Sequence, residues 1–213
     1  MRRFIPVFIF LSISGHLYAQ NFEFSGEFGY GSTYINTNIS FKDFFGHSSI
    51  NNFGGGIYFA YNPGKTCIFL TSGIKYLLKG DNTYSFNNFR IPLGFHAEPG
   101  RKVKYIIGGG VYLNYLFLPK GDINPDFKKT FRDFQFGGFV DTGLKYNFFS
   151  CWNIFLLAQV WFDLSPMYTN EFIFHDGTHG TEVIRSYDLT LNLGFSYLIP
   201  VRDTDRLSSC LLH

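Results

Sequence analysis

One stretch constrains the fold more than any other: residues 89–117 read FRIPLGFHAEPGRKVKYIIGGGVYLNYLF. Two apolar, aromatic-rich runs are joined there by a polar turn, Glu98-Pro99-Gly100-Arg101-Lys102. Proline presets one backbone angle and glycine tolerates a positive one, so the turn favours a tight hairpin. The second run alternates between an apolar face and a polar or small face over about fifteen residues, whereas a typical strand has roughly five or six. That length fits a tilted strand that crosses a membrane.

The same alternation recurs along the chain and predicts eight strands. They cover residues 22–34, 52–61, 66–78, 88–97, 103–117, 134–147, 152–164 and 186–199. Long and short connections alternate, and the longest is 165–185. An even strand number, short turns on one side, longer loops on the other and an apolar outer face are typical of bacterial outer-membrane barrels.

We therefore predict an all-β fold, an eight-stranded antiparallel up-and-down transmembrane β-barrel over residues 20–200. The location is then the outer membrane of a Gram-negative bacterium, with both termini in the periplasm. Outward aromatics at the strand ends predict two interfacial girdles. The alternative fold is a secreted soluble β-sandwich or a lipocalin-like barrel, because alternation alone does not say which face is inside.

The N-terminus predicts export. Met1-Arg2-Arg3 precedes a nearly uninterrupted apolar run over residues 4–14, which is typical of a signal peptide. We predict a signal peptide over residues 1–19, with cleavage after Ala19, and a short periplasmic tail over residues 201–213. The apolar run is shorter than the about 20 residues of a membrane-spanning helix.

The composition supports a membrane barrel and excludes nucleic acid as a partner. Aromatic residues make up 21% of the chain and charged residues 16%, against about a quarter charged in soluble domains. Without Arg2 and Arg3, the chain has 16 basic and 16 acidic residues, so it lacks a basic footprint. No cofactor is predicted. The expected partners are outer-membrane lipid, the barrel-assembly and periplasmic chaperone machinery, and an extracellular or periplasmic partner that the sequence does not identify.

Three cysteines leave at least one unpaired thiol in an exported chain. Cys67 and Cys151 fall near predicted short turns on opposite sides of the barrel. We therefore expect no disulfide framework, and a bridge to Cys210 in the tail stays open.

The chain contains three short motifs, Gly73-Ile74-Lys75-Tyr76-Leu77-Leu78-Lys79-Gly80, then Ile91-Pro92-Leu93, then Gly108-Gly109-Gly110-Val111-Tyr112. They resemble the Bacteroidetes outer-membrane β-barrel family of PorT-like proteins. Asn192, Gly194, Tyr197 and Ile199 also resemble the assembly signal in the last strand of outer-membrane proteins. The resemblance implies fold and location, and it hints at a part in secretion across the outer membrane.

Charged residues on the predicted inner face should pair, because unpaired charges at bilayer depth are costly. The predicted network, with His96 nearby, consists of Glu23, Glu27, Lys75, Arg90, Lys104, Asp141, Lys145, Asp163 and Asp188. The alternative is a gated path for ions or solutes, but small barrels are generally filled by side chains. Pro92 removes one ladder donor and predicts a bulge or bend. Gly108, Gly109 and Gly110 lie in mid-strand and predict close packing and curvature.

Two histidine motifs are weak candidates for chemistry. His47-Ser48-Ser49 has a His-x-Ser spacing that resembles outer-membrane lipid A deacylases, which makes His47 and Ser49 candidate catalytic residues. In the longest loop, His175, Asp176 and His179 could hold a divalent metal, with Glu171 or Glu182 as a further ligand. Solvated loops explain both motifs equally well.

The sequence thus favours a non-enzymatic, membrane-anchored scaffold that presents external loops for adhesion, ligand or partner contact. One alternative is an outer-membrane enzyme, lipid A deacylase-like or protease-like, that uses rim or loop histidines. The other is a PorT-like component of protein secretion.

Overall fold

The computed structural model of the chain describes residues 21–37, 49–63, 66–80, 85–120, 132–149, 151–173 and 179–199. These residues form nine strands. The strands are β1 (Asn21–Thr37), β2 (Ser49–Asn62), β3 (Ile68–Gly80), β4 (Ser85–Ala97), β5 (Val103–Lys120), β6 (Phe134–Phe149), β7 (Trp152–Asp163), β8 (Tyr168–Ile173) and β9 (His179–Ile199). No helix in these ranges is long and apolar enough to cross a membrane.

Eight of the nine strands close into a barrel. Each strand from β1 to β7 pairs antiparallel with the next one, β9 pairs with β7, and β9 also pairs with β1. The remaining strand, β8, lies outside the closed barrel and pairs with the first part of β9, from His179 to Ile184. This topology confirms the predicted eight-stranded antiparallel up-and-down barrel and adds a hairpin to it.

The stagger of the strands follows from their register. A path that steps from Glu23 on β1 to the paired residue on each successive strand returns to β1 at Thr33, ten residues further along. The intermediate residues are Ala60, Thr71, Gly94, Gly110, Phe139, Trp161 and Asp188. Closure with a stagger requires strands tilted by about 35–45° from the barrel axis. An eight-stranded barrel of this kind has an interior just wide enough for side chains.

The outer face is apolar and the inner face is largely polar, which excludes the lipocalin-like alternative. Outward side chains such as Ile57, Leu93 and Ile107 are more than 60% exposed, whereas most of the inward polar side chains are buried. Outward aromatics lie at both ends of the barrel wall, as predicted. At the short-turn end they are Phe22, Tyr61, Tyr105, Tyr146, Trp152 and Tyr197, and at the other end Tyr34, Phe53, Tyr76, Phe89, Tyr115, Phe134 and Tyr187.

Two predicted connections were wrong. Because β3 runs to Gly80 and β4 begins at Ser85, only residues 81–84 join them, and the connection is short. The predicted long loop 165–185 contains β8 and the start of β9. Polar residues in that stretch still form a ladder, because each strand of a hairpin satisfies the backbone groups of the other.

Pro92 marks no bulge and no shift of register, so the prediction of a bulge was wrong, whereas a bend stays a prediction. The β3–β4 register is the same before and after it, with Ser72 opposite Leu93 and Lys75 opposite Arg90. Only the ladder positions between these pairs are absent, since proline has no N–H to donate. The Ser72 hydroxyl donates to the Pro92 carbonyl at 2.9 Å. The sheet therefore accommodates Pro92 locally.

The predicted signal peptide, the predicted tail and Cys210 lie outside the described residues. Cys67 and Cys151 lie in turns at the same end of the barrel, after β2 and after β6. They are not joined to each other in a disulfide, so the pairing of Cys210 stays a prediction.

Candidate functional site: the barrel interior

A lysine at mid-height ties together three parts of the barrel wall. Lys75 on β3 is fully buried, and its ammonium group donates to Glu27 of β1 at 2.7 Å, Gln159 of β7 at 2.6 Å and Asn192 of β9 at 3.0 Å. Three acceptors match the three donors of an ammonium group. The Tyr58 hydroxyl also donates to Glu27, at 2.8 Å. The charge of Lys75 is therefore compensated without solvent.

A second group of ion pairs lies nearer the end with the long connections. Asp188 on β9 accepts from Arg90 of β4, which stands four strands away on the opposite wall. Asp188 also accepts from Lys79 at 2.8 Å and from the Thr33 hydroxyl at 2.6 Å. One carboxylate thus joins both walls of the barrel and β1.

A third group closes the end with the short turns. Lys145 of β6 donates to Glu23 of β1 at 2.8 Å and to Glu98. Glu98 comes from the β4–β5 turn, is buried, and has Lys104 at 3.7 Å. Burial alone would raise the pKa of the Glu98 carboxyl, but the charges of Lys145 and Lys104 outweigh burial and hold that pKa below its usual value. A residue of the turn thus forms part of the interior network.

The two remaining inward carboxylates also have partners. Asp141 lies 2.8 Å from His96 Nε2. Asp163 accepts from the Tyr112 hydroxyl at 2.5 Å and from the Ser186 hydroxyl at 2.5 Å. Each inward carboxylate that the structure describes is therefore bound by at least one donor, as the cost of a buried unpaired charge requires.

An aromatic layer separates the middle of the lumen from the part nearer the end with the long connections. Trp161 is 1% exposed, stacks on Phe139 at 4.7 Å between ring centroids, and meets Tyr112 edge-on at 5.2 Å. The Lys75 ammonium lies 5.3 Å from the Trp161 centroid, and the Arg90 guanidinium lies 5.1 Å from it. Both distances are within range of a cation–π attraction. The rings and the cations therefore pack into one solid layer.

Glycines on the inner wall make room for these large side chains. A Cβ at Gly137 would lie 2.4 Å from the Tyr112 ring, and one at Gly194 would lie 2.2 Å from the Phe155 ring. In the same way, a Cβ at Gly108 would lie 2.2 Å from the His96 ring. The structure thus shows the close packing that was predicted at Gly108. Small residues on the wall and large residues in the lumen together fill a narrow barrel.

A small cavity lies in the part of the lumen nearer the short turns. It has a volume of about 40 Å³ and is bordered by Glu23, Tyr58, His96 and Lys145, among others. Since one water molecule needs roughly 10–15 Å³ of such cavity volume, the cavity holds a few waters and no organic solute. Among the described residues, the lumen is thus occupied mainly by the side chains that join its walls.

All nine residues of the predicted network lie on the inner side of the wall, and eight of them pair across the lumen or with a neighbouring strand. Lys104 is the exception, because it lies at the rim and reaches only Glu98. Sequence reasoning missed Lys79 and Glu98, which it assigned to connections. The signal for Lys79 was its spacing of four residues from Lys75, which keeps it on the same strand face.

Most of the candidate catalytic and metal-binding residues lie outside the residues that the structure describes. His47, His175 and Asp176 lie outside the described residues, and Ser49 begins β2. His179 begins β9 and is exposed. Among the described residues, no group of three or more His, Cys, Asp or Glu side chains could hold a metal ion.

Comparison with known proteins supports the fold. No family model matches the chain, and no curated protein sequence matches it. The crystal structure of Neisserial surface protein A matches with a TM-score of 0.51 and 13% identity, over 83% of this chain and 96% of that one. A major outer membrane protein from Thermus thermophilus matches with a TM-score of 0.53 and 12% identity, over 85% of this chain and 100% of that one. At such identities the likeness shows that these proteins share the barrel fold.

Proposed function

We propose that the protein is an integral outer-membrane barrel whose short turns face the periplasm. Support comes from the wall itself, because its outward face is an apolar belt between two rings of aromatic side chains. Such rings lie at the interfaces of membrane barrels. The polar inner face and the closed sheet leave no unpaired barrel edge for lipid to face.

We propose that its role is non-enzymatic: the barrel anchors external elements at the cell surface for adhesion, ligand or partner contact. The observation that carries this proposal is the filled lumen, in which each described inward carboxylate is bound by a donor. The cavity beside them, of about 40 Å³, has no room for an organic substrate. The interior is therefore suited to rigidity.

The element that the barrel presents is a hairpin. Tyr187 lies in the outer aromatic ring, and β9 continues beyond it to His179, paired with β8. Eight residues at about 3.4 Å each extend the strand by roughly 27 Å beyond Tyr187. The end of β1, from Ile35 to Thr37, pairs with β9 only as far as Ile184, where the pairing with β8 begins. Beyond Ile184 a hairpin of two strands thus rises from the wall, where a partner can reach it.

The proposal is tested by removing the hairpin and keeping the barrel. Residues 168–184 are replaced by a short turn, and whole cells are compared for adhesion to protein-coated and glycan-coated surfaces. Heat-modifiable migration in a gel confirms that the variant still folds. We expect adhesion to fall to the level of cells without the protein. Unchanged adhesion would contradict a role for the hairpin, and a protein soluble without detergent would contradict the membrane location.

The enzyme alternative is tested on the histidines. His47, Ser49, His175 and His179 are each replaced by alanine, and the lipid A of whole cells is profiled by mass spectrometry. The anchor proposal expects the same profile for every variant. A changed profile would replace the anchor with a lipid-modifying enzyme.

The resemblance to PorT-like proteins supports the architecture more than a part in secretion. Its motifs lie on the neighbouring strands β3, β4 and β5. A Cβ at Gly73 would lie 2.8 Å from the Tyr58 ring, and one at Gly110 would lie 2.3 Å from the Leu93 carbonyl. These motif glycines serve close packing, which any barrel of this shape needs. Deleting the gene and measuring secreted proteins would test the secretion alternative, and the anchor proposal expects an unchanged set.

A further inference from the structure

Gly26 differs from the glycines that make room for interior side chains. It lies on β1 among the outward residues, and a Cβ added there would find its nearest heavy atom, a backbone oxygen, at 4.0 Å. Alanine would therefore fit without conflict, and a glycine inside a strand weakens the strand. Packing within the chain does not explain this glycine. Glycines of that kind often mark a place where a ligand approaches the backbone closely.

The absent side chain opens a groove on the outer wall. Phe24 and Phe28 border it along β1, Ile57 stands opposite on β2, and Phe195 stands opposite on β9. The groove has a volume of about 550 Å³ and lies open along the outer wall, so an occupant would lie along the surface and would not be enclosed. Its border side chains are apolar, and Phe24, Phe28 and Ile57 are each more than half exposed. The groove therefore takes an apolar ligand.

One end of the groove lies at the aromatic ring of the short-turn end. Trp152 and Tyr197 border it there, with their ring centroids 4.9 Å apart. Both rings carry a polar N–H or O–H on an apolar body, which suits them to the level of lipid headgroups. The other end, at Phe28, lies four residues further along β1 than Phe24, toward mid-membrane. The occupant should thus have a polar head at the ring and an apolar tail in the groove.

A second copy of the chain fits less well. The groove is bordered by only a few side chains, whereas a stable protein interface buries about 1,000 Å² or more. No charged side chain on the outer face of the groove offers a partner protein an ion pair, since Glu27 points into the lumen toward Lys75. A flexible hydrocarbon chain needs neither a large area nor a charge.

We propose that this groove, bordered by Phe24, Gly26, Phe28, Ile57 and Phe195, seats an acyl chain of a phospholipid from the periplasmic leaflet. The proposal rests on the proposed membrane location and orientation, because the short-turn end must face the periplasm. It adds a specific lipid site to the outer wall.

The two tryptophans of the chain provide the test. Trp152 borders the groove, and Trp161 is buried in the lumen. The protein is folded into vesicles of phosphatidylethanolamine with dibrominated acyl chains, transferred to unbrominated detergent and purified. We expect quenched Trp152 fluorescence and one brominated phospholipid in the native mass spectrum. A Trp152→Phe variant gives the constant signal of Trp161.

Filling the groove should release the lipid. In Gly26→Leu we expect the fluorescence to return to its unbrominated level and the bound lipid to be lost. Thr142→Leu, an outward substitution on β6 away from the groove, is the matched control and should behave like the unsubstituted chain. Heat-modifiable migration shows that each variant remains a barrel.

Two results would overturn the proposal. Unquenched, lipid-free protein after transfer to detergent would exclude a lipid site, and with heat-modifiable migration preserved it would leave the proposed function intact. A dimer in detergent that Gly26→Leu dissociates would assign the groove to a second copy of the chain. Failure of the proposed function itself would appear earlier, as protein that does not insert into the vesicles.

Discussion

The mid-lumen lysine offers the sharpest test of what holds the barrel closed. Lys75 is fully buried, and the Glu27 carboxylate that it neutralises at 2.7 Å is almost fully buried. In Lys75→Met the carboxylate keeps only the Tyr58 hydroxyl, at 2.8 Å. Removing one partner of a buried ion pair costs about 3–5 kcal/mol, because the other charge is left uncompensated. We expect Lys75→Met to lower the free energy of unfolding by that amount.

The double variant separates the ion pair from simple packing. Glu27→Gln removes the charge and keeps an acceptor for Tyr58, so Lys75→Met and Glu27→Gln together leave no buried charge at this position. Coupled residues deviate from additivity by about 0.5–3 kcal/mol. We therefore expect the double variant to lose less stability than the two single variants added together, by at least about 1 kcal/mol.

Urea unfolding of the barrel in lipid vesicles, followed by tryptophan fluorescence, measures these free energies. Trp161 reports directly, since its ring centroid lies 5.3 Å from the Lys75 ammonium. The control is Lys102→Met, an exposed lysine of the β4–β5 turn that lies 5.5 Å from the Tyr146 ring. Its loss should cost no more than about 1 kcal/mol. If Lys75→Met costs no more than Lys102→Met, the cross-lumen ion pairs do not stabilise the barrel.

Three further outcomes follow from the interior. Gly137→Ala should lower the free energy of unfolding by about 1–3 kcal/mol in the same urea titration, because the new methyl group overlaps the Tyr112 ring. The pKa of the Glu98 carboxyl is lower in the folded protein than in the unfolded chain, where it is about 4.3. The ionised carboxylate therefore stabilises the fold fully above pH 4.3, and this stabilisation is lost as pH falls through the folded pKa. Urea midpoints from pH 7 to pH 3 should thus fall more steeply for the unsubstituted chain than for Glu98→Gln, and equal slopes would remove Glu98 from the network with Lys145. In planar bilayers the barrel should show no steady conductance, and a stable open level at low voltage would contradict a filled lumen.

Much of the wall could be predicted from the sequence because a strand alternates with a period of two. Val103, Tyr105 and Ile107 share one face whatever the partner strands are, and that face is the exposed one. Strand ends were harder to predict, because polar residues at a membrane surface are compatible with a loop and with a ladder. The strand that runs from His179 to Ile199 shows this, since its first six residues are of mixed polarity and still pair with β8.

The contacts inside the lumen could not be predicted in the same way. Alternation places Arg90 on the inner face, but the choice of Asp188, 98 residues away, depends on which strands stand opposite each other. That choice follows from the strand number and the stagger together, since a path around this barrel climbs ten residues. A stagger changed by two residues would leave every side chain on its predicted face and would bring different charges together. Face assignment therefore predicts that a network exists, and only the register decides its pairs.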